Sequence, residues 1–194
     1  MVVNILLFDD FETMDAFIPA QIFGMKKESF YMRLLSKQGG LVTSAQGVKV
    51  WTEPLNPVEI EDILVVPGGC GAKRLFYLDR EAQSLFKKAA ENSDYCLSIG
   101  EGIGLLVQTG VLYHRIVADT PLDEDWKRMF HAGVERVPDV RWVADGKFYS
   151  CSSALKSVDM ILDVISDCLD VEDARSIADK LEFVWDTSEN GVVR

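Results

Sequence analysis

Short apolar runs recur along the chain, separated by segments with helical spacing. Residues 2–8, VVNILLF, are apolar except for Asn4, as expected of a strand covered on both faces. DILVVPGG (62–69) and YCLSI (95–99) repeat that pattern, and YMRLLSK (31–37) predicts a further strand. DAFIPAQIFGM (15–25) predicts a helix. Pro19 lacks a backbone donor and is expected in its first turn, with Asp15 just ahead. DREAQSLFKKAAENS (79–93) is amphipathic, with Leu85, Phe86 and Ala89 at helical spacing. A helix after Gly100 is expected to run to Thr109, closed by Gly110 in a left-handed cap. Residues 41–55 predict an edge hairpin, and 141–153 a second one turning at Asp145-Gly146. SVDMILDVISDCL (157–169) and VEDARSIADKLEFVW (171–185) predict two closing helices. Buried strands alternating with helices imply a three-layer α/β domain with a mainly parallel sheet. In such sheets, sites form at the carboxyl ends of strands.

Composition narrows the function classes. The 194 residues suit one domain, taken as 1–194, and the net charge of −11 disfavours nucleic acid and anionic lipid as partners. The apolar start ends at Phe8 and reads as a first strand rather than a leader. No apolar stretch approaches the ~18 residues of a membrane helix. Cys70, Cys96, Cys151 and Cys168 form no CxxC pair, which suggests reduced thiols in the cytoplasm. With only two histidines, His114 and His131, no metal site is expected.

Three strand ends carry candidate chemistry: FDD at 8–10, PGGC at 67–70 and SIGEG at 98–102. The last looks like a dinucleotide fingerprint, but Leu105 stands where the third glycine belongs and Glu101 would face a pyrophosphate. No nucleotide or other cofactor is therefore expected. It also looks like a nucleophile elbow, but its central residue is Gly100, which has no attacking atom. Glu101 has two readings: a carboxylate offsetting the helix start, or an acid/base partner of Asp15. Cys70, after the diglycine, is either a relocated thiol or a packed cysteine. Cys151 is expected near the same cleft. The four tryptophans, Trp51, Trp126, Trp142 and Trp185, show no stripe and are expected to pack.

Five stretches in this order resemble the ThiJ/PfpI superfamily, within the class I glutamine-amidotransferase-like proteins: FDDFETMDAFIPAQIF, ILVVPGGCGAKRL, SIGEGIGLLVQTGVL, FYSCSSALKSVDMIL and ARSIADKLEFVWD. The resemblance implies a flavodoxin-like fold. It puts the family's nucleophilic cysteine on Gly100 and places Thr120 at or near the family's histidine. It retains the acid as Asp15 and the backbone donors of Gly68 and Gly69. It therefore implies a protein without the usual cysteine chemistry that binds or senses a small molecule, with Gly68, Gly69, Gly100 and Thr120 lining the site. The alternative is a hydrolase or hydro-lyase, of intracellular protease/amidase or isonitrile hydratase type, using Asp15, Glu101 or Cys70. It further implies a homodimer, for which Val48, Val50 and Trp51 on the edge hairpin are the candidate surface.

Overall fold

A computed structural model describes residues 1–121, 126, 133–185 and 191–194. The strands are β1 (Val2–Leu6), β2 (Tyr31–Ser36), β3 (Gly40–Thr43), β4 (Lys49–Pro54), β5 (Ile63–Val66), β6 (Tyr95–Ile99), β7 (Arg115–Ala118), β8 (Val134–Val137), β9 (Trp142–Asp145), β10 (Phe148–Cys151) and β11 (Gly191–Val193). The α-helices are α1 (Thr13–Gly24), α2 (Gly71–Leu78), α3 (Arg80–Asn92), α4 (Gly102–Thr109), α5 (Ser157–Cys168) and α6 (Val171–Lys180).

Nine strands form one sheet in the order β11-β9-β10-β6-β5-β1-β2-β4-β3, and β7 and β8 pair separately. The central pairs β1–β2, β1–β5, β5–β6 and β6–β10 are parallel. The β3–β4 and β9–β10 hairpins are antiparallel. Every residue of β5 is buried, as the unbroken apolar run requires. Helices α1, α5 and α6 pack together, as do α2, α3 and α4, so two helical layers flank the sheet. This is the predicted flavodoxin-like α/β architecture.

Local expectations fail where a distant contact overrides a short-range rule. Pro19 lies deep inside α1 rather than in its first turn. The helix starts early because Thr13 is held by the 44–46 turn. Its N–H donates to Gln46 Oε1 at 3.0 Å, and its hydroxyl meets Ser44 Oγ at 2.7 Å. Asp15 therefore sits inside the first turn. The last helix stops at Lys180, short of the predicted Trp185. Glu182 is left-handed at φ 51°, and the Phe183 N–H donates to Ala178 O at 2.9 Å, a closing motif usually marked by glycine. Val50 faces inward opposite Val42, so of the expected hairpin patch only Val48 and Trp51 are exposed. Trp51 does not pack as expected: it is 76% exposed beside its cross-strand partner Leu41. His131 lies outside the described residues.

Candidate functional site

The site forms where β1, β5, β6 and β10 release their carboxyl ends. The loop after β1 and the diglycine after β5 are laid backbone against backbone. The Glu12 N–H donates to Gly68 O at 2.8 Å, and the Gly71 N–H to Asp10 O at 3.2 Å. Gly69 has φ +120°, and a Cβ there would sit 2.5 Å from the Glu12 nitrogen, so the close approach requires glycine. Gly100 is the turn between β6 and α4, with φ +55°. Its N–H donates to Cys151 O at 3.0 Å, tying the elbow to the end of β10. Apart from its chain neighbours, a Cβ on Gly100 would meet one described atom within 4 Å, Asp15 Oδ2 at 3.1 Å.

Two carboxyl groups meet at this turn. Asp15 is 3% exposed, and its Oδ2 accepts from the Gly68 N–H at 3.0 Å. Glu101 is half-buried, and its Oε2 accepts from the Gly69 N–H at 3.1 Å. A Cβ on Gly68 would lie 2.8 Å from Asp15 Oδ2 and 2.5 Å from Glu101 Oε2, so both acids converge on one spot. The backbone donors expected to face a ligand are thus occupied by the chain's own side chains.

Burial pushes the Asp15 carboxyl up to about 7. The Gly68 N–H opposes that rise, and the charges of Glu101 and Glu12 add to it. A buried carboxyl that titrates near neutrality at a strand end is typical of functional sites. Glu12 was not singled out in the sequence; its effect depends on the turn that folds it back toward Asp15.

The remaining candidates are placed as follows. Thr120 is buried, and its hydroxyl donates to Ser152 O at 3.4 Å, next to the Cys151 carbonyl that holds Gly100. Cys151 is fully buried. Desolvation, then the charge of Asp15, drives its thiol far above the ordinary range, so it is no nucleophile. Cys70 is exposed on the other side of the diglycine, its Sγ 3.9 Å from Asp10 O, and no described contact brings it to Asp15 or Glu101. His114 precedes β7, at the end opposite Thr120, and its ring lies against that of Tyr113, with centroids 3.9 Å apart and planes tilted by 55°. Among the described residues, no group of three His, Cys, Asp or Glu side chains is arranged for a metal.

Cys70 is expected to show no unusually fast alkylation, because no described histidine stands beside it. A brief iodoacetamide pulse at pH 7, read by mass spectrometry, should label it slowly and leave Cys96 and Cys151 intact. Cys96 is fully buried, and desolvation pushes its thiol up to about 12. Fast, selective labelling of Cys70 would instead indicate a relocated nucleophile.

Comparison with known proteins agrees with this fold. The family model described as "DJ-1/PfpI family" matches residues 1–167. Drosophila melanogaster DJ-1beta superposes with a TM-score of 0.78 at 17% identity, covering 95% of this chain and 98% of its own. A ThiJ/PfpI family protein from Pseudomonas syringae gives 0.77 at 17% identity, covering 97% of this chain and 77% of its own. An AraC family transcriptional regulator from Pseudomonas putida gives 0.72 at 17% identity, over 93% and 98% of the two chains. No curated protein sequence matches the chain. With its family signature spanning most of the sequence and its fold shared with these structures, the chain belongs to the DJ-1/PfpI family.

Proposed function

We propose that this is a single-domain, non-covalent member of the family, a small-molecule-binding or regulatory protein rather than a thiol enzyme. One observation carries the reading. The elbow residue is Gly100, and the Gly68 and Gly69 N–H groups beside it already hold Asp15 and Glu101. Covalent acyl or thioimidate chemistry needs an attacking atom, which Gly100 lacks, and free donors for the oxyanion, whereas the Gly68 and Gly69 N–H groups are already engaged. A ligand would sit against the Gly100 turn, bordered by Asp15, with the buried Thr120 bonded to Ser152 O behind it.

A second reading rests on Asp15, whose carboxyl titrates near 7. Such a group could give or take a proton for a bound water in a hydrolase or hydro-lyase of altered mechanism. Proton transfer alone is typically worth only about 10²–10⁴-fold.

Turnover of a chromogenic amide and a small isonitrile by wild type, Asp15→Asn and Gly100→Cys decides between them. All three are expected to stay at background. Gly100→Cys gains little, because a thiolate there would face two carboxyl groups and the elbow N–H partners remain occupied. Robust wild-type turnover that disappears in Asp15→Asn would establish the carboxylate mechanism instead.

Exposed Leu41, Val48 and Trp51 on the β3–β4 hairpin support a second copy of the chain as partner. Four cysteines free of disulfides fit a reducing compartment, and we assign the protein to the cytoplasm.

A further inference from the structure

Three aromatic rings stand in a row on the sheet, away from the cleft. Trp142 on β9 and Tyr149 on β10 are stacked, with centroids 5.8 Å apart and planes at 27°. Tyr95, at the start of β6, follows with its centroid 6.0 Å from that of Tyr149. Trp142 and Tyr149 are buried, and Tyr95 is half-buried. Packing accounts for the apolar ring faces, but not for what meets each polar edge. The Tyr149 hydroxyl donates to Asp167 Oδ2 at 3.0 Å. The Tyr95 hydroxyl meets the Cys168 thiol. Asp163 stands beside the indole N–H groups of Trp142 and Trp185. Asp163 and Asp167 are one turn apart on α5, and Cys168 follows directly. One helix therefore sets a group that can take a proton, or give a hydrogen atom, against each ring in turn.

That pairing is what one-electron oxidation of an aromatic side chain requires. A phenol that loses an electron becomes a strong acid and must shed its proton at once. Burial pushes both phenols up, that of Tyr95 to about 12, so each carries a proton to lose. Electrons pass readily between π systems packed this closely. Both ends of the row reach toward solvent: Trp185 is half-buried, and so is Cys168, a thiol free of disulfides.

We propose that Trp185, Trp142, Tyr149 and Tyr95 form a relay for oxidising equivalents that ends on the Cys168 thiol. The oxidant is an outer-sphere one-electron acceptor at the surface. It takes an electron from the Trp185 indole, and Trp142 refills that hole. Tyr149 gives an electron to Trp142 and its phenolic proton to Asp167, leaving a neutral tyrosyl radical. Tyr95 reduces that radical, which regains its proton from Asp167, and the Tyr95 proton leaves to solvent. The Cys168 S–H bond then breaks, and its hydrogen atom restores Tyr95. The net change is one electron to the oxidant, one proton to water and a thiyl radical at Cys168, with every ring restored. Dissolved dioxygen carries the thiyl on to sulfinic and sulfonic acid. Such a relay drains radical damage from the buried rings to a half-buried thiol.

The test oxidises the full chain in air with ruthenium(III) tris(bipyridine), generated by light with a cobalt(III) ammine as electron acceptor. Peptide mapping by mass spectrometry reads oxygenated Trp142 and Cys168. Each is scaled to an exposed residue of the same kind in the same molecule, Trp51 and Cys70. Wild type, Tyr149→Phe and Asp167→Asn are compared. Phenylalanine keeps the stacked ring without a phenol to oxidise, and asparagine keeps the shape of Asp167 without the base. Both variants are expected to lower scaled Cys168 oxidation by roughly threefold or more and to raise that of Trp142 by a similar factor. A purely structural part for Tyr149 would shift the melting temperature without moving damage from Cys168 to Trp142. Equal scaled yields in wild type and both variants overturn the relay. Asp167 is exposed, so its variant reports even where Tyr149→Phe disturbs the core. Unchanged Cys168 oxidation in folded Asp167→Asn overturns the relay by itself.

Discussion

Replacing Asp15 by Asn is expected to stabilise the protein at pH 8 relative to pH 5 by about 3 kcal/mol more than wild type shows over the same interval. The folded state holds the Asp15 proton up to about pH 7, whereas the unfolded chain releases it near 3.8. For an acid raised in this way, the folded state is favoured while the group is protonated. Stability is whole below the unfolded value, falls as pH climbs toward 7, and is flat above. The Asn variant has no proton to lose, and its side-chain carbonyl still accepts the Gly68 N–H. Asp163 on α5 is also pushed up to about 7, chiefly by burial, and contributes a slope of the same sign. It is present in both proteins and cancels from the comparison. Urea unfolding at the two pH values is the measurement, and parallel pH dependence in both proteins would refute the assignment.

Gly102→Ala is expected to cost about 3 kcal/mol or more, although alanine is the better helix former. Gly102 opens α4 against the end of β5. A Cβ there would overlap the Val66 carbonyl oxygen and lie 2.8 Å from Pro67 O and 3.0 Å from Pro67 C. These are backbone atoms of the central sheet and its turn, so relief requires moving α4 or the diglycine loop. Gly24→Ala is the matched control. It lies at the end of α1 with nothing within 4 Å of an added Cβ, and is expected to be neutral or stabilising by roughly 0.5–1 kcal/mol. Thermal or urea midpoints measure both. A neutral Gly102→Ala would mean that α4 does not seat against β5 as described. The resemblance of GEGIG to a nucleotide fingerprint thus has a packing explanation. Gly100 supplies a left-handed turn, Gly102 a close backbone contact, and Gly104 room for the Trp126 ring, 3.0 Å from where its Cβ would be.

The sequence alone determined the features that depend on short-range rules. Continuous apolar runs identify β1, β5 and β6 as buried strands, because only strands covered on both faces need apolar residues without alternation. The β9–β10 hairpin was legible, but its turn lies one residue later than the predicted Asp145-Gly146. Asp145 still pairs with Phe148 as the end of β9, and Gly146, at φ +60°, and Lys147 make the turn. Gly110 closes α4 at φ +83°, and glycine tolerates both angles. The elbow at Gly100 and the diglycine were legible for the same reason. Other features have no local signature. The early start of α1 depends on Ser44 and Gln46, and the left-handed Glu182 ends α6 without the usual glycine. α2, β7, β8 and β11 were not anticipated: each is short, and the strands take their pairing from partners distant in sequence. The site itself divides in the same way. Its residues could be named from the strand ends, but the occupancy of the Gly68 and Gly69 donors could not. It depends on carboxylates 53 and 32 residues away, brought to those N–H groups by the parallel sheet and the elbow. Residue spacing records which side chains a segment carries. Only the packed fold decides which hydrogen-bond donors they reach, because that is set by contacts between segments far apart in the chain.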